Sequence, residues 1–182
     1  EKIIEKIAKK ICNSRRPVLY VGNGIRFSNS YDEFLEFLRK FPIATVTGWN
    51  SNDLIWDSHP CYCGRPGSVG NRAGNFAVQL SDCVIIVGSR LNIRQVSFNW
   101  KSFAKNAWTC HLDIDKDELD KPTLNTDLKV NGDIKNFFNE LYKKVSQYNI
   151  EKNKWSGWIS FNKSMLKDYP PTLPCQKIKN KL

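Results

Sequence analysis

The sequence predicts a three-layer α/β fold, in which a five- or six-stranded parallel sheet carries helices on both faces. Short runs such as PVLYV and CVIIV are apolar throughout and lack the alternation of a strand with one solvated face. Between these runs lie segments whose apolar residues recur at helical spacing. Continuous apolar strands that alternate with helices are typical of parallel sheets buried on both sides.

The first half of the chain predicts two helices and two strands. Residues 2–13 place four isoleucines on one helical face, and PVLYVG at 17–22 is the first buried strand. A second helix is predicted over 31–41, with acidic residues in its first turn, where they favour the helix dipole. PIATVTG at 42–48 is the second strand, and a long irregular stretch follows as far as Gly70.

The second half continues the same alternation. The predicted elements are, in order, a helix near 71–81, a strand in CVIIVGSR (83–90), a short strand in QVSFNW (95–100), a strand in WTCHLDID (108–115), a strand in LKVNGD (128–133), and a helix over 133–145.

Bulk composition excludes several classes of protein. The net charge is +10, but the lysines are scattered rather than collected into a stripe with aromatic residues, so no nucleic-acid partner is expected. No apolar run approaches the roughly 18–20 residues that a membrane helix needs, so no membrane partner is expected either.

The six cysteines do not form a zinc set, because only Cys61 and Cys63 are close in sequence. They are expected to be free thiols in a reducing, cytoplasmic setting, with Cys83 and Cys110 inside core strands. The chain begins at Glu1, and its only methionine is Met165. It is therefore expected to be a piece of a longer polypeptide, and its charged first helix is not a signal peptide.

Glycine, arginine and acidic residues follow the predicted strands. Because the carboxyl ends of parallel strands meet at one edge, these residues are expected to form a nucleotide cradle there. Glycine lets the backbone approach phosphate, arginine pairs with it, and carboxylates accept hydrogen bonds from sugar. The plainer alternative remains open: turns are rich in glycine in any protein, and Asp133 fits the N-cap of the last helix. The third glycine of the usual dinucleotide fingerprint is replaced by Phe27, which disfavours a standard NAD site.

Three segments together resemble a known family. PVLYVGNGIR, HPCYCGRPGSVGNRAGNFAVQLSDCVIIVGSRLNIRQ and HLDIDKDELDKPTLNTDLKVNGDIKNFF resemble the central domain of thiamine diphosphate-dependent enzymes of the acetolactate synthase type. The resemblance covers about residues 1–146 and implies a Rossmann-like middle domain, which in several members holds FAD or ADP. It also implies that residues 147–182 form a helix and a proline-containing connector towards a third domain.

The resemblance implies a set of nucleotide contacts, with cations near the diphosphate and acids near the sugar. The residues are Gly22, Gly24, Thr47, Gly48, Gly64, Gly67, Gly88, Arg90, Arg94, Asp113, Ile114, Gly132 and Asp133. Two segments depart from the flavin-binding pattern, the loop Arg65-Pro66-Gly67-Ser68-Val69 and the stretch Leu91-Asn92-Ile93.

The resemblance also implies what this chain lacks. The thiamine-activating glutamate has no counterpart, and Gly132-Asp133-Ile134 does not complete the magnesium motif of the third domain. The chain alone is therefore expected to have no catalytic residues and no metal. The resemblance implies that thiamine diphosphate and Mg belong to the parent enzyme, which is then expected to be a homo-oligomer that decarboxylates a 2-oxo acid and transfers the product carbanion equivalent. The partners of this chain are then the flanking thiamine-binding domains of the same polypeptide.

Three other functions are compatible with parts of the sequence. A purely structural spacer that binds no nucleotide is the strongest rival. An electron-transfer flavoprotein subunit lacks its flavin loops here, and a sirtuin-like deacylase lacks its zinc ribbon. His59 and His111 are expected to be structural, the first capping a loop and the second lying on a strand. Trp155 and Trp158 are expected to be hidden by packing of the tail on its own sheet or on another copy.

Overall fold

The computed structural model describes residues 1–171. Its helices and strands are, in order, α1 (Lys2–Asn13), β1 (Pro17–Val21), α2 (Gly24–Phe27), α3 (Tyr31–Lys40), β2 (Ala44–Thr47), α4 (Arg72–Gln79), β3 (Cys83–Val87), α5 (Ile93–Val96), β4 (Trp108–Asp113), α6 (Lys116–Asp120), β5 (Leu128–Asn131), α7 (Ile134–Ser146) and α8 (Ser156–Asp168). Single 3₁₀ turns lie at Trp49–Ser51 and Trp100–Ser102.

The five strands form one parallel sheet in the order β2-β1-β3-β4-β5, with helices on both faces. The predicted three-layer α/β fold is confirmed. All residues of β1, β2 and β3 are buried, as the continuous apolar sequences of β1 and β3 predict. The strand order reverses between β1 and β3, because β2 lies on one side of β1 and β3 on the other.

The short strand predicted in QVSFNW is wrong. Asn92 accepts a hydrogen bond from the Arg94 N–H, and Gln95 accepts one from the Asn92 N–H, so this segment begins as the helical turn α5. Ser97 ends the turn with a φ of 65°, which is outside the range of a strand. Phe98 is 81% exposed, so its side chain does not pack on the sheet as that of a buried strand residue would.

One face of the sheet is covered by α1, α3 and α7, which we call the closed face. Its core holds Phe34 and Phe37 from α3 and Phe138 from α7, with ring centroids 5.7–5.9 Å apart across the two helices. These helices have one strongly apolar side each, and every one of those sides faces the sheet.

The opposite face, which we call the open face, is covered by α4 and α8 and by the segment 91–107. The open-face core holds fewer side chains, among them Tyr20 from β1 and Trp158 from α8. Beyond β4 this face is less completely covered by helices and loops, and Lys129 and Asn131 of β5 are exposed. A cavity of about 400 Å³ lies there between residues 100–109 and 122–127.

The tail helix α8 is fixed to the domain through two tryptophans. The Trp155 indole N–H donates to the Ser14 carbonyl at 3.0 Å, and the Trp158 indole N–H donates to the Pro17 carbonyl at 3.1 Å. Both side chains are buried, as expected for a tail that packs on its own sheet. The last residues of the predicted connector, 172–182, lie outside the described residues.

Five cysteines, Cys12, Cys61, Cys63, Cys83 and Cys110, are free and buried, as expected of free thiols, and Cys83 and Cys110 lie on core strands as predicted. Cys175 lies outside the described residues. Within residues 1–171, no helix combines the length and the apolar composition that crossing a bilayer requires.

Candidate functional site

The turns after β1 and β3 lock together at the carboxyl edge of the sheet. The Gly22 N–H donates to the Val87 carbonyl, and the Gly24 N–H donates to the Gly88 carbonyl, both at 2.9 Å. This is the point where the strand order reverses. In open parallel sheets, ligands bind in the crevice at this point, outside the carboxyl ends of the strands.

Glycine is required where the two turns meet. A Cβ atom on Gly24 would lie 2.7 Å from the Gly88 Cα, and Gly88 itself adopts a φ of 58°. A side chain at either position would force the turns apart or strain the backbone. The Gly-x-Gly of the sequence therefore has a structural reason here that is independent of any ligand.

A cavity of about 550 Å³ opens at this edge, and we call it the carboxyl-edge cavity. Its volume lies within the range of small-molecule sites. Six residues predicted from the sequence line it: Gly24, Gly88, Arg90, Asp113, Ile114 and Asp133. The remaining lining residues are Asn23, Phe27, Ser28, Asn50, Ser89, Asn92, Gln95, Asp115, Glu118 and Ile134.

The charged residues that line this cavity are mostly acidic. Asp113, Asp115 and Asp133 each use one carboxylate oxygen to accept a nearby backbone N–H, at 2.8–3.0 Å. Asp115 and Asp133 cap α6 and α7 in this way, so the N-cap expected of Asp133 is present. Within the described part of the chain, the lining therefore holds four carboxylates, counting Glu118, and the guanidinium of Arg90. Within residues 1–171, no three histidine, cysteine or acidic side chains are arranged to hold a metal ion.

Arg90 is held by Glu118 at the mouth of the cavity. The Arg90 Nε donates to Glu118 Oε1 at 2.6 Å, and the Lys121 Nζ donates to Oε2 of the same carboxylate at 2.7 Å. Burial of Glu118 opposes its ionisation. The hydrogen bonds from Lys121 and Arg90 outweigh this and hold the pKa of the carboxyl below its usual value.

Seven predicted residues lie outside the lining of the carboxyl-edge cavity: Gly22, Thr47, Gly48, Gly64, Gly67, Arg94 and Gly132. Gly22 packs directly behind it, against Gly88 and Ser89. The Gly132 N–H donates to the Asp113 carbonyl and so supports the wall from behind. Thr47 and Gly48 are buried at the end of β2.

Gly64, Gly67 and Arg94 belong to a neighbouring group of loops. Gly67, at a φ of 115°, lies so close to the Arg94 carbonyl that a Cβ there would be 2.2 Å from its oxygen. Gly67 lines a smaller cavity of about 250 Å³. Gln95 lines both cavities and separates them. The Arg94 guanidinium stacks over the Trp49 ring, with its central carbon 5.2 Å from the ring centroid.

Sequence reasoning missed most of the polar lining, and one residue carried a usable signal. Phe27 occupies the position of the third fingerprint glycine, and its side chain is 85% exposed at the cavity. A large apolar residue in place of the glycine therefore marks a wall of the cavity. Glu118 and Gln95 offered no such signal, because both come from short helical turns whose positions depend on distant loops.

Both histidines have structural partners, as predicted. His111 is buried on β4, and its Nε2 lies 2.9 Å from the Ser89 carbonyl oxygen. The His59 Nδ1 accepts the Cys61 N–H in a loop. Burial lowers the pKa of each imidazole.

Comparison with known proteins gives one consistent result. The family model described as "Thiamine pyrophosphate enzyme, central domain" matches residues 4–141. The chain is 30% identical to the probable acetolactate synthase large subunit of Methanococcus aeolicus, over 93% of the chain and 29% of that protein. It is 32% identical to the acetolactate synthase large subunit of Cyanidium caldarium, over 94% of the chain and 29% of that protein.

A third relative, the acetolactate synthase large subunit of Lactococcus lactis, is 32% identical over 88% of the chain and 27% of its own length. The chain thus spans less than a third of the curated relatives it matches. The family match covers well over half of the 182 residues and agrees with the parallel sheet, so the chain belongs to the family of thiamine pyrophosphate enzyme central domains.

Proposed function

We propose that this chain is the central domain of a thiamine diphosphate-dependent enzyme of the acetolactate synthase type. In this proposal it holds the two thiamine-binding domains together and binds an adenine nucleotide, FAD or ADP, in the carboxyl-edge cavity. The observation that carries the nucleotide role is the cavity itself, which opens where the strand order reverses and is lined by six of the residues expected to contact a nucleotide.

The nucleoside half of such a ligand fits the residues present. Asp113 and Asp133 offer carboxylate oxygens to the sugar hydroxyls, and Gly24 and Gly88 leave the floor free of side chains. Ile114, 72% exposed on the wall, offers an apolar surface to the face of a base.

The diphosphate half fits only if Arg90 changes partner. Among residues 1–171, Arg90 is the one cationic side chain that lines the cavity, and Glu118 holds it. Arg94, the other arginine expected near the diphosphate, stacks on Trp49 outside the lining. A nucleotide diphosphate would therefore be bound by Arg90 after it leaves Glu118, with the sugar on the acidic side of the cavity.

The parent enzyme is proposed to carry out the chemistry elsewhere. Thiamine diphosphate and Mg, bound by the flanking domains, would supply a stabilised carbanion for decarboxylation of a 2-oxo acid and for transfer. Residues 1–146 form the domain in this proposal, and residues 147–182 form the helix and connector towards the third domain. The free, buried cysteines support a reducing compartment such as the cytoplasm.

A structural role in assembly is the second candidate, and it has its own observation. Trp49 and Trp56, in the loops after β2, are 45% and 55% exposed. Large aromatic side chains at a surface are enriched in protein interfaces. If the cavity binds nothing, these rings would still give the domain a contact surface for the flanking domains or for a second subunit of the homo-oligomer.

Thermal unfolding with and without ligand tests the nucleotide role. Adenosine, ADP and FAD, each added to the purified chain up to millimolar concentration, should raise Tm, because a ligand that binds only the folded state stabilises it. Ile114→Glu should abolish the rise, since it places a carboxylate on the wall proposed to face the base. Phe98→Glu is the matched control, because Phe98 is 81% exposed and lies outside the cavity lining.

The two candidates predict different results. If none of the three ligands raises the Tm of the unsubstituted chain, the spacer is favoured over the nucleotide site. If ligands raise Tm equally in all variants, nucleotide binds, but not in the carboxyl-edge cavity.

A further inference from the structure

The arginine at the mouth of the carboxyl-edge cavity is already engaged by an acid of its own chain. Arg90 Nη2 lies 2.5 Å from Glu118 Oε1, and Arg90 Nε donates to the same oxygen. Lys121 binds the other oxygen of Glu118 and also donates to the Arg90 carbonyl. Glu118 therefore has a cation on each side.

The two members of the Arg90–Glu118 pair differ in freedom. The side chain of Arg90 is 77% exposed, whereas that of Glu118 is 12% exposed and fixed by Lys121. An ion pair whose cation lies largely in solvent contributes little stability. Arg90 can leave Glu118 at small cost, while Glu118 keeps Lys121 as its counter-ion.

Because the other charged residues that line the cavity are acidic, the binding of an anionic ligand there depends on Arg90. Asp113, Asp115 and Asp133 also line the cavity, and they repel phosphate. A guanidinium binds phosphate and carboxylate through the same fork of N–H groups, so a phosphate and Glu118 compete for one donor set.

We propose that Glu118 determines how this site treats phosphate groups: it competes with the ligand for Arg90, so that the chain binds adenosine at least as tightly as ADP. This inference rests on the proposed nucleotide site and names what the site selects. Arg90 contacts the ligand in this arrangement, and Glu118 acts through Arg90 as a positioning residue.

Glu118→Gln tests the proposal in the intact chain. Calorimetric titration with adenosine and with ADP should give similar affinities for the unsubstituted protein. In Glu118→Gln, the affinity for ADP should rise about threefold, in keeping with the small cost of breaking this solvent-exposed pair, while that for adenosine stays unchanged. The gain in ADP affinity should shrink as salt is raised from about 50 to about 500 mM, because salt screens the charges of exposed groups such as Arg90.

Two further variants separate this mechanism from a general change of charge. Glu140→Gln removes one carboxylate from an exposed pair with Lys143 on α7, outside the cavity lining, and should leave both affinities unchanged. Arg90→Gln added to Glu118→Gln should remove the gain for ADP. A gain that persists without Arg90 would overturn the proposal, because Glu118 would then act only through the field in the cavity.

The results also separate this inference from the function on which it rests. If the unsubstituted chain and Glu118→Gln both bind adenosine but show the same ratio of ADP to adenosine affinity, the nucleotide site stands and the role of Glu118 is wrong. If no variant binds either ligand, both the nucleotide site and the inference are overturned.

Discussion

The two faces of the sheet differ in what fills them. On the closed face, three helices bring phenylalanine rings together in a large apolar cluster. On the open face, the buried positions include polar side chains, among them Tyr20, Thr109 and His111, and two cavities lie beneath the loops. The difference indicates that the closed face stabilises the fold, while the open face and the adjoining carboxyl edge retain polar groups and space.

The largest effect is expected on the closed face. Phe138 is 1% exposed and packs against Phe34, Phe37 and Phe137. Phe138→Ala should lower the free energy of unfolding by about 3–5 kcal/mol, because it removes buried surface and leaves a cavity. Urea unfolding followed by tryptophan fluorescence measures the loss. Phe98→Ala, at an exposed position, should change stability by less than about 0.5 kcal/mol. Equal losses for the two variants would contradict the assignment of the stabilising core.

A smaller, pH-dependent effect is expected on the open face. Burial lowers the pKa of His111, so the folded protein binds fewer protons than the unfolded chain just below the usual histidine pKa of about 6.5. The stability that His111 contributes is therefore complete above this pH and is lost as pH falls below it.

Unfolding measured between pH 7 and pH 5 checks this sign. His111→Gln should show a flatter dependence on pH than the unsubstituted chain. His59→Gln is the comparison, because His59 is less buried and its pKa is lowered by partial burial and by Lys163. The chain has only two histidines, so their NMR titrations can be assigned from these two variants. Stability that rises as pH falls from 6.5 would contradict the prediction.

The smallest effect is expected at Tyr20. Its side chain is fully buried, and among the described residues its hydroxyl lies near the Gln95 side chain without forming a hydrogen bond of normal geometry. Tyr20→Phe removes a buried hydroxyl whose desolvation is not compensated by a hydrogen bond. The free energy of unfolding should therefore stay within about 1 kcal/mol of that of the unsubstituted chain, or rise.

Tyr148→Phe provides the matched control for Tyr20. The Tyr148 hydroxyl donates to Glu5 at 2.8 Å in an exposed setting, and its loss should lower stability only slightly. If Tyr20→Phe is the more destabilising of the two substitutions, the prediction is wrong, and the Tyr20 hydroxyl forms a hydrogen bond with a group on the open face.

The strands could be predicted from sequence because burial on both faces leaves a purely local signal. CVIIV and PVLYV are apolar at every position, and both became central strands. The strand predicted in QVSFNW is wrong because the conformation of this segment depends on the capping of a turn by Asn92 and Gln95. The pattern of apolar and polar residues within the segment does not show that capping. Phe98 consequently lies in solvent rather than on a sheet face.

The candidate site was only partly predictable, for a related reason. The glycines and acids at strand ends meet because parallel strands bring their carboxyl ends together, and Gly24, Gly88 and Asp113 follow that rule. The partners of arginines depend on loops far apart in the chain. Arg90 is bound by Glu118, 28 residues later, and Arg94 lies over Trp49. No local pattern around either arginine contains that information.

The two indole hydrogen bonds of the tail helix give it a mechanical role. Trp158 is attached to the first residue of β1, and the far end of that five-residue strand leads straight into the interlocked glycine turns. Trp155 adds a second anchor just before the strand, so α8 cannot swivel about a single point. A movement of α8 is therefore expected to displace β1, and with it the glycine turn at the edge of the cavity.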